Sequence, residues 1–189
     1  YDTGGFNKIL KLNTFKNKIN FNKFPYLESQ ISSISDDIAY NNHDIEDGIR
    51  ANLFSLNEIA EIPFFKIIFN KHNKNIQKFG KKLIVSQIVR ESINHMVTDI
   101  IENTKKNINK YKIKSLNNIY ICDKPIVCFS SKMIEIDKQI KFFLNHNMYN
   151  NKYVLKKTTE GKKIIKNLFN NINKNPKKYI KKDLLKTGI

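Results

Sequence analysis

A chain of 189 residues fits one domain of ordinary size with a buried core, although length alone fixes no fold. Thirty-four Lys+Arg against 17 Asp+Glu leave a net charge of +17, a balance that draws polyanions such as nucleic acid, nucleotides or an anionic membrane. Arginine occurs only at Arg50 and Arg90, and the lysines come with many Asn and Ile, a bias that AT-rich coding produces without selection for binding, so charge does not name the partner. Cys122 and Cys128 match neither a redox C-x-x-C nor a zinc-ribbon spacing, so they are expected to be two reduced thiols of a cytoplasmic protein. No run of about 18 apolar residues offers a membrane span, and no membrane partner is expected. The N-terminus has neither an initiator Met nor a signal-peptide layout, so Tyr1 is expected to open a fragment or a processed chain.

In chain order, Phe6–Phe15 has weak helical spacing among Asn and Lys, and Pro25 marks a boundary. Beyond it, Leu27, Ile31, Ile34, Ile38 and Ile45 fall on one side of a helix and are expected to face a core. Ser55-x-x-Glu58 predicts a capping box opening a helix toward Phe64–Phe69, with Pro63 interrupting or restarting it. Leu83–Thr104 repeats the helical period with a face broad enough to be covered on more than one side. Pro125 divides Ile119–Ile121 from Ile126–Phe129, which predicts an extended loop or a minor hairpin. Ser130 or Ser131 caps a helix through Met133, Ile140 and Leu144; another holds Ile164, Ile165, Leu168, Phe169 and Ile172, and Asn175-Pro176 opens a lysine-rich tail. The sum is an all-α multi-helical bundle of about six helices with little or no sheet.

One stretch runs against the composition. Between Phe24 and Ile49 there is no Lys or Arg, yet Glu28, Asp36, Asp37, Asp44, Glu46 and Asp47 lie there. Asp36, Tyr40 and Asp44 are four residues apart, so they form a row on one helix face, roughly opposite the apolar stripe. A carboxylate there suits a hard divalent cation, and a tyrosine offers a flat face and a hydroxyl to a sugar or base; a solvated acidic face is the bland reading.

The run from Leu27 to Ala51 resembles the L-E-x-Q…D-D-I-A-Y-x-x-H-D-x-x-D-G-x-R-A signature of the deoxyguanosinetriphosphate triphosphohydrolase-like (dGTPase-like) family of the HD-domain superfamily. Looser similarity runs through Arg90–Asp99, Phe129–Met133 and Met148-Tyr149, so the resemblance covers most of the chain after Tyr26. It implies an HD-like helical fold and a cytoplasmic, metal-dependent hydrolase that cleaves a deoxynucleoside triphosphate to deoxynucleoside and triphosphate, commonly as a homo-oligomer. The family holds a divalent cation (Mg, Mn or similar) with a His, a His-Asp pair and a distant Asp. By position Asp36 is that distant metal ligand, and Tyr40 and Asp44 contact the deoxyribose of the substrate. Asp37 points about 100° away and takes a supporting role.

His43-Asp44 falls in this fourth-ligand segment and is not the ligand pair. The first His ligand, the true His-Asp pair and the His/Glu catalytic group have no counterpart, so no catalytic residue is identified in this chain. Gly4-Gly5-Phe6 resembles a segment that follows those motifs, although Lys8-Ile9 stands where the family has His-Asn. The implied organisation is one all-α unit over 1–189: an N-terminal remnant 1–24, the metal and substrate helix 25–54, and a C-terminal helical region 55–189. The alternative is a basic helical module that binds single-stranded nucleic acid through Lys105–Lys114 and Lys174–Lys186, or a non-catalytic subunit that depends on a partner.

Overall fold

The computed structural model describes residues 23–72 and 80–180, and among these every regular element is helical, as the periodicity predicts. Helix α1 runs Leu27–Arg50, α2 Leu56–Ile59, α3 Pro63–His72, α4 Lys81–Lys110, α5 Leu116–Ile121, α6 Ser131–Leu144, α7 Lys152–Lys174 and α8 Pro176–Tyr179. A π-helical turn, Asn145–Tyr149, extends α6. The excess over six helices comes from one-turn pieces such as α2 and α8. The expected helix over Phe6–Phe15, the Gly4-Gly5-Phe6 similarity and the end of the Lys174–Lys186 stretch lie outside the described residues.

The two long helices α1 and α4 form the main pairing; α3 packs on α4, and α6 packs on α1. Ile38, Ile45 and Ile49 of α1 meet Ile88, Val89 and Met96 of α4 in a continuous core that also takes in Phe65 and Leu144. The stripe expectation needs one correction. Ile38 and Ile45 are buried and Leu27 and Ile34 partly so, but Ile31 is exposed. The first turns of α1 face α4 across an open gap. There Ile31, Ile34 and Ile38 line a groove of about 390 Å³ with Val97, Ile100 and Ile101 of α4.

Local chemistry sets the helix ends. The Ser55 hydroxyl accepts from Glu58 N at 3.3 Å while the Glu58 carboxylate accepts from Ser55 N at 2.7 Å, the expected capping box. The helix it opens is a single turn, and Pro63 starts α3 afresh, since proline is tolerated in a first turn. Ser130 caps α6 by accepting from Met133 N. The extended reading of Ile119–Ile121 is overturned: these residues close α5, whose start Ser115 caps with Asn118 as the reciprocal partner. Ile126–Phe129 does form an irregular loop.

Both α1 and α4 end in a left-handed residue that returns amides to the last carbonyls. For α1 it is Asn52 (φ 55°), which tolerates that conformation. For α4 it is Lys112 (φ 51°), whose neighbour Ile113 donates to Ile108 O at 3.0 Å. A lysine there carries the Cβ strain of the left-handed region, and its side chain is exposed. Lys112→Gly is therefore expected to raise stability by about 0.5–1 kcal/mol, read as a higher urea midpoint. An unchanged midpoint would mean that the strain is relieved elsewhere.

Between α3 and α4 lies a charge cluster. Glu91 accepts from Lys71 Nζ at 2.5 Å and contacts His72 Nε2 at 2.5 Å. The His72 contact first and the Lys71 contact second hold the Glu91 carboxyl below its ordinary range.

Candidate functional site

Helix α1 presents the site. It runs unbroken through Asp36, Tyr40 and Asp44, so the row predicted from their spacing lies along one helix, with Ile38, Ile45 and Ile49 buried on the other side. Asp36 and Tyr40 are exposed, the tyrosine by 70%, and neither makes a hydrogen bond or ion pair among the described residues. Asp44, one turn on, is half-buried.

The reason for that burial is Tyr149. Its hydroxyl donates a short hydrogen bond to Asp44 Oδ2, joining the π turn after α6 to α1. Burial first, then this bond, then the negative charge of Asp44, raise the Tyr149 phenol well above the ordinary tyrosine range. Sequence spacing missed this contact, because the two residues are 105 positions apart. The signal present was Met148-Tyr149, matched to the family without a role.

The sign of the pH effect follows. A phenol with a raised folded-state pKa contributes stability that is whole below its unfolded value near ~10 and is lost as pH climbs through the folded value. The difference in urea midpoint between wild type and Tyr149→Phe is expected to be constant from neutrality to about pH 9 and to shrink above about pH 10. A difference independent of pH across that range would sink the assignment.

Asp37 turns away from the row, as its 100° offset predicts, and toward α6. Lys141 Nζ lies 3.3 Å from Asp37 Oδ2 and 2.9 Å from Asp137 Oδ2, and Asn41 Nδ2 donates to Asp137 Oδ1 at 3.0 Å. Burial works against the Lys141 charge, but the bonds and charges of Asp137 and then Asp37 outweigh it and hold the ammonium above its ordinary value.

Other residues within the stretches of resemblance serve the fold. Gln30 is buried; its Nε2 donates to Pro25 O at 2.8 Å, and its Oε1 accepts from both Ile126 N and Val127 N at 3.0 Å, pinning the loop before α6 onto α1. Asn42 is fully buried and donates to Ile38 O at 2.8 Å and to Met96 Sδ at 3.4 Å. At Gly48 a Cβ would sit 2.3 Å from the Phe54 ring, which is buried and stacked edge-on against Phe143 at 4.9 Å, so only a bare Cα lets the ring lie against α1. Asp99 accepts from Ser130 N at 2.8 Å and from Ser130 Oγ at 2.6 Å, tying α4 to the start of α6.

Asp36 offers an exposed carboxylate on the open side of α1. Among the described residues no group of three His, Cys, Asp or Glu gathers in a geometry that could hold a metal. A hard divalent ion takes about six oxygen ligands, so the described residues do not complete such a site by themselves. Cys122 and Cys128 are free thiols; the Cys128 sulfur accepts from Asn103 and Asn107 at 3.5 and 3.4 Å. No helix among the described residues is long and apolar enough to cross a membrane.

Comparison with known proteins adds independent support. A family described as Phosphohydrolase-associated domain matches residues 127–187, from the loop before α6 to beyond α8. The chain is 54% identical over 185 residues to a protein of Pelagibacter ubique (strain HTCC1062), covering 98% of this chain and 50% of that protein. It is 33% identical over 168 residues to one of Bartonella quintana (strain Toulouse), covering 89% and 42%. It is 32% identical over 157 residues to one of Leptospira interrogans (serovar copenhageni, strain Fiocruz L1-130), covering 82% and 41%. All three are named deoxyguanosinetriphosphate triphosphohydrolase-like protein. The signature on α1, the helical fold and these similarities converge: the chain belongs to the deoxyguanosinetriphosphate triphosphohydrolase-like family and spans about half the length of the curated relatives it matches.

Proposed function

We propose that this chain forms one wall of a hydrolase site for deoxynucleoside triphosphates, with the open face of α1 turned toward the substrate. The observation that carries the reading is a division of labour within one helix. Gln30, Asn42 and Gly48 are occupied by packing, whereas Asp36 and Tyr40 stand exposed on the other side, with no hydrogen bond or ion pair among the described residues. A large aromatic ring left 70% exposed beside two carboxylates is a place for a ligand with both an apolar face and hydroxyls.

In this reading Asp36 is one ligand of a divalent cation, magnesium or manganese. Tyr40 lays its ring against the deoxyribose or base, and Asp44, its Oδ2 held by Tyr149, turns its other oxygen to the sugar 3′-hydroxyl. Water attacks the α-phosphorus, the bond from that phosphorus to the 5′ oxygen breaks, and deoxynucleoside and inorganic triphosphate leave. The general acid or base and the remaining cation ligands come from outside the described residues.

The test joins this chain to the half of the Pelagibacter ubique relative that it does not match, and follows dGTP with Mn²⁺ by anion-exchange chromatography. Stoichiometric deoxyguanosine and triphosphate are expected. Release of orthophosphate or pyrophosphate from a well-folded fusion would place the cut at another bond and overturn the reading.

A further inference from the structure

Helix α7 is 23 residues long, about 35 Å, and none of its residues is buried. Its main contacts are with the π turn that precedes it and with α8. Over its last four turns Ile164, Ile165, Leu168, Phe169 and Ile172 share an arc of about 140°, and Lys162, Lys163, Lys166 and Lys174 fill the adjoining side. Ile164, Ile165, Leu168 and Phe169 are each more than half exposed. A contiguous apolar stripe of this kind, edged by charge, marks a contact surface rather than a solvated helix.

The same molecule carries a counterpart of opposite charge. Between α2–α3 and α6 lies a groove of about 690 Å³ whose floor includes Ile62, Pro63 and Phe143 and whose wall includes Phe142, 76% exposed. Glu58, Glu61 and Glu135 line it against a single Lys138. In a chain of +17, three of its 17 acidic residues around one apolar groove make a local inversion of sign.

We propose that α7 of one copy docks into this groove of a second copy, with its apolar arc on the exposed Phe142 and Pro63 and its lysines against Glu61 and Glu135. The inference does not depend on the hydrolase reading. His146 and Asn147, in the π turn that precedes α7, help line the groove, so the helix begins close beside it. Each copy then gives one helix and takes one, the self-complementary exchange of a two-fold dimer. Lysine and an apolar face would also suit an anionic membrane, but glutamates lining the neighbouring groove repel such a surface and stay unexplained by it.

Sedimentation equilibrium of this chain between about 1 and 100 µM tests the proposal. A dimer is expected, converted to monomer by Ile165→Glu with Phe169→Glu, both exposed positions whose replacement leaves the far-UV circular dichroism intact. Lys162→Glu with Lys166→Glu is expected to weaken self-association at least tenfold. Mixing that variant with Glu61→Lys, Glu135→Lys chains should restore a mixed dimer. A wild-type monomer at the highest concentration, or a dimer indifferent to both sets of changes, would overturn the proposal. So would a monomer that co-sediments with phosphatidylserine vesicles regardless of the groove glutamates, which assigns α7 to a membrane instead.

Discussion

Asp36→Ala is expected to lower dGTP hydrolysis by the fusion with the relative's remaining half at least about 100-fold, while the urea midpoint stays unchanged. Removing a cation ligand forfeits several kcal/mol of charge stabilisation in the transition state, and each ~1.4 kcal/mol is tenfold in rate. Stability should not follow, because Asp36 is exposed and makes no hydrogen bond or ion pair among the described residues. Asp37→Ala supplies the contrast. It breaks the 3.3 Å pair with Lys141, a half-exposed contact of the kind that contributes about 0–1 kcal/mol, and should leave the rate within a few-fold. Equal losses of activity at both positions would point to a diffuse acidic field and remove Asp36 from the site.

Phe65→Ala should destabilise the chain by about 3–5 kcal/mol, the usual range for emptying a buried phenylalanine position. Phe65 is 0% exposed; α3 packs on α4 there, and Phe64 lies edge-on to its ring at 5.2 Å. Against a total of about 5–15 kcal/mol, that loss is a large share of what keeps a domain folded. Thermal melts should fall by roughly 6–20 °C for a chain of this size. Ile67→Ala, two residues on and 73% exposed, should shift stability by no more than about 0.5 kcal/mol. A small effect at Phe65 would show that the α3–α4 contact is a loosely attached flap rather than part of the core.

Helices whose signals are local were legible in the sequence. The 3.6-residue period of Leu83–Thr104 and the Ser55/Glu58 and Ser130 caps each depend on residues a few positions apart, and each appears in the structure. Ile119–Ile121 misled because β-branched residues near Pro125 suggest extension, and the box that starts α5 uses Asn118 where Glu or Gln is the familiar partner. Exposure of Ile31 was hidden for another reason: a stripe tells which side of a helix is apolar, not how closely the facing helix packs against each turn of it.

The candidate site divides in the same way. The row Asp36–Tyr40–Asp44 needs only the helical repeat, so it could be read directly. The Tyr149 hydroxyl on Asp44 and the Lys141 bridge between Asp37 and Asp137 depend on how α6 crosses α1, which no local pattern encodes. Gln30 and Gly48 stood in the signature from the start, but their work became visible only with the loop at Ile126 and the ring of Phe54 in place.

The π turn at Asn145–Tyr149 widens the last turn of α6 before the helix breaks at Asn150 and the extended Asn151, where α7 starts afresh. A π turn is in effect one residue inserted into α-helical winding, so excising a single residue there returns the end of α6 to the ordinary α-helical path. The side chains at the end of that turn would swing by about 100° about the helix axis. Tyr149 would lose sight of Asp44, and the long basic helix that follows would leave the molecule on a different bearing.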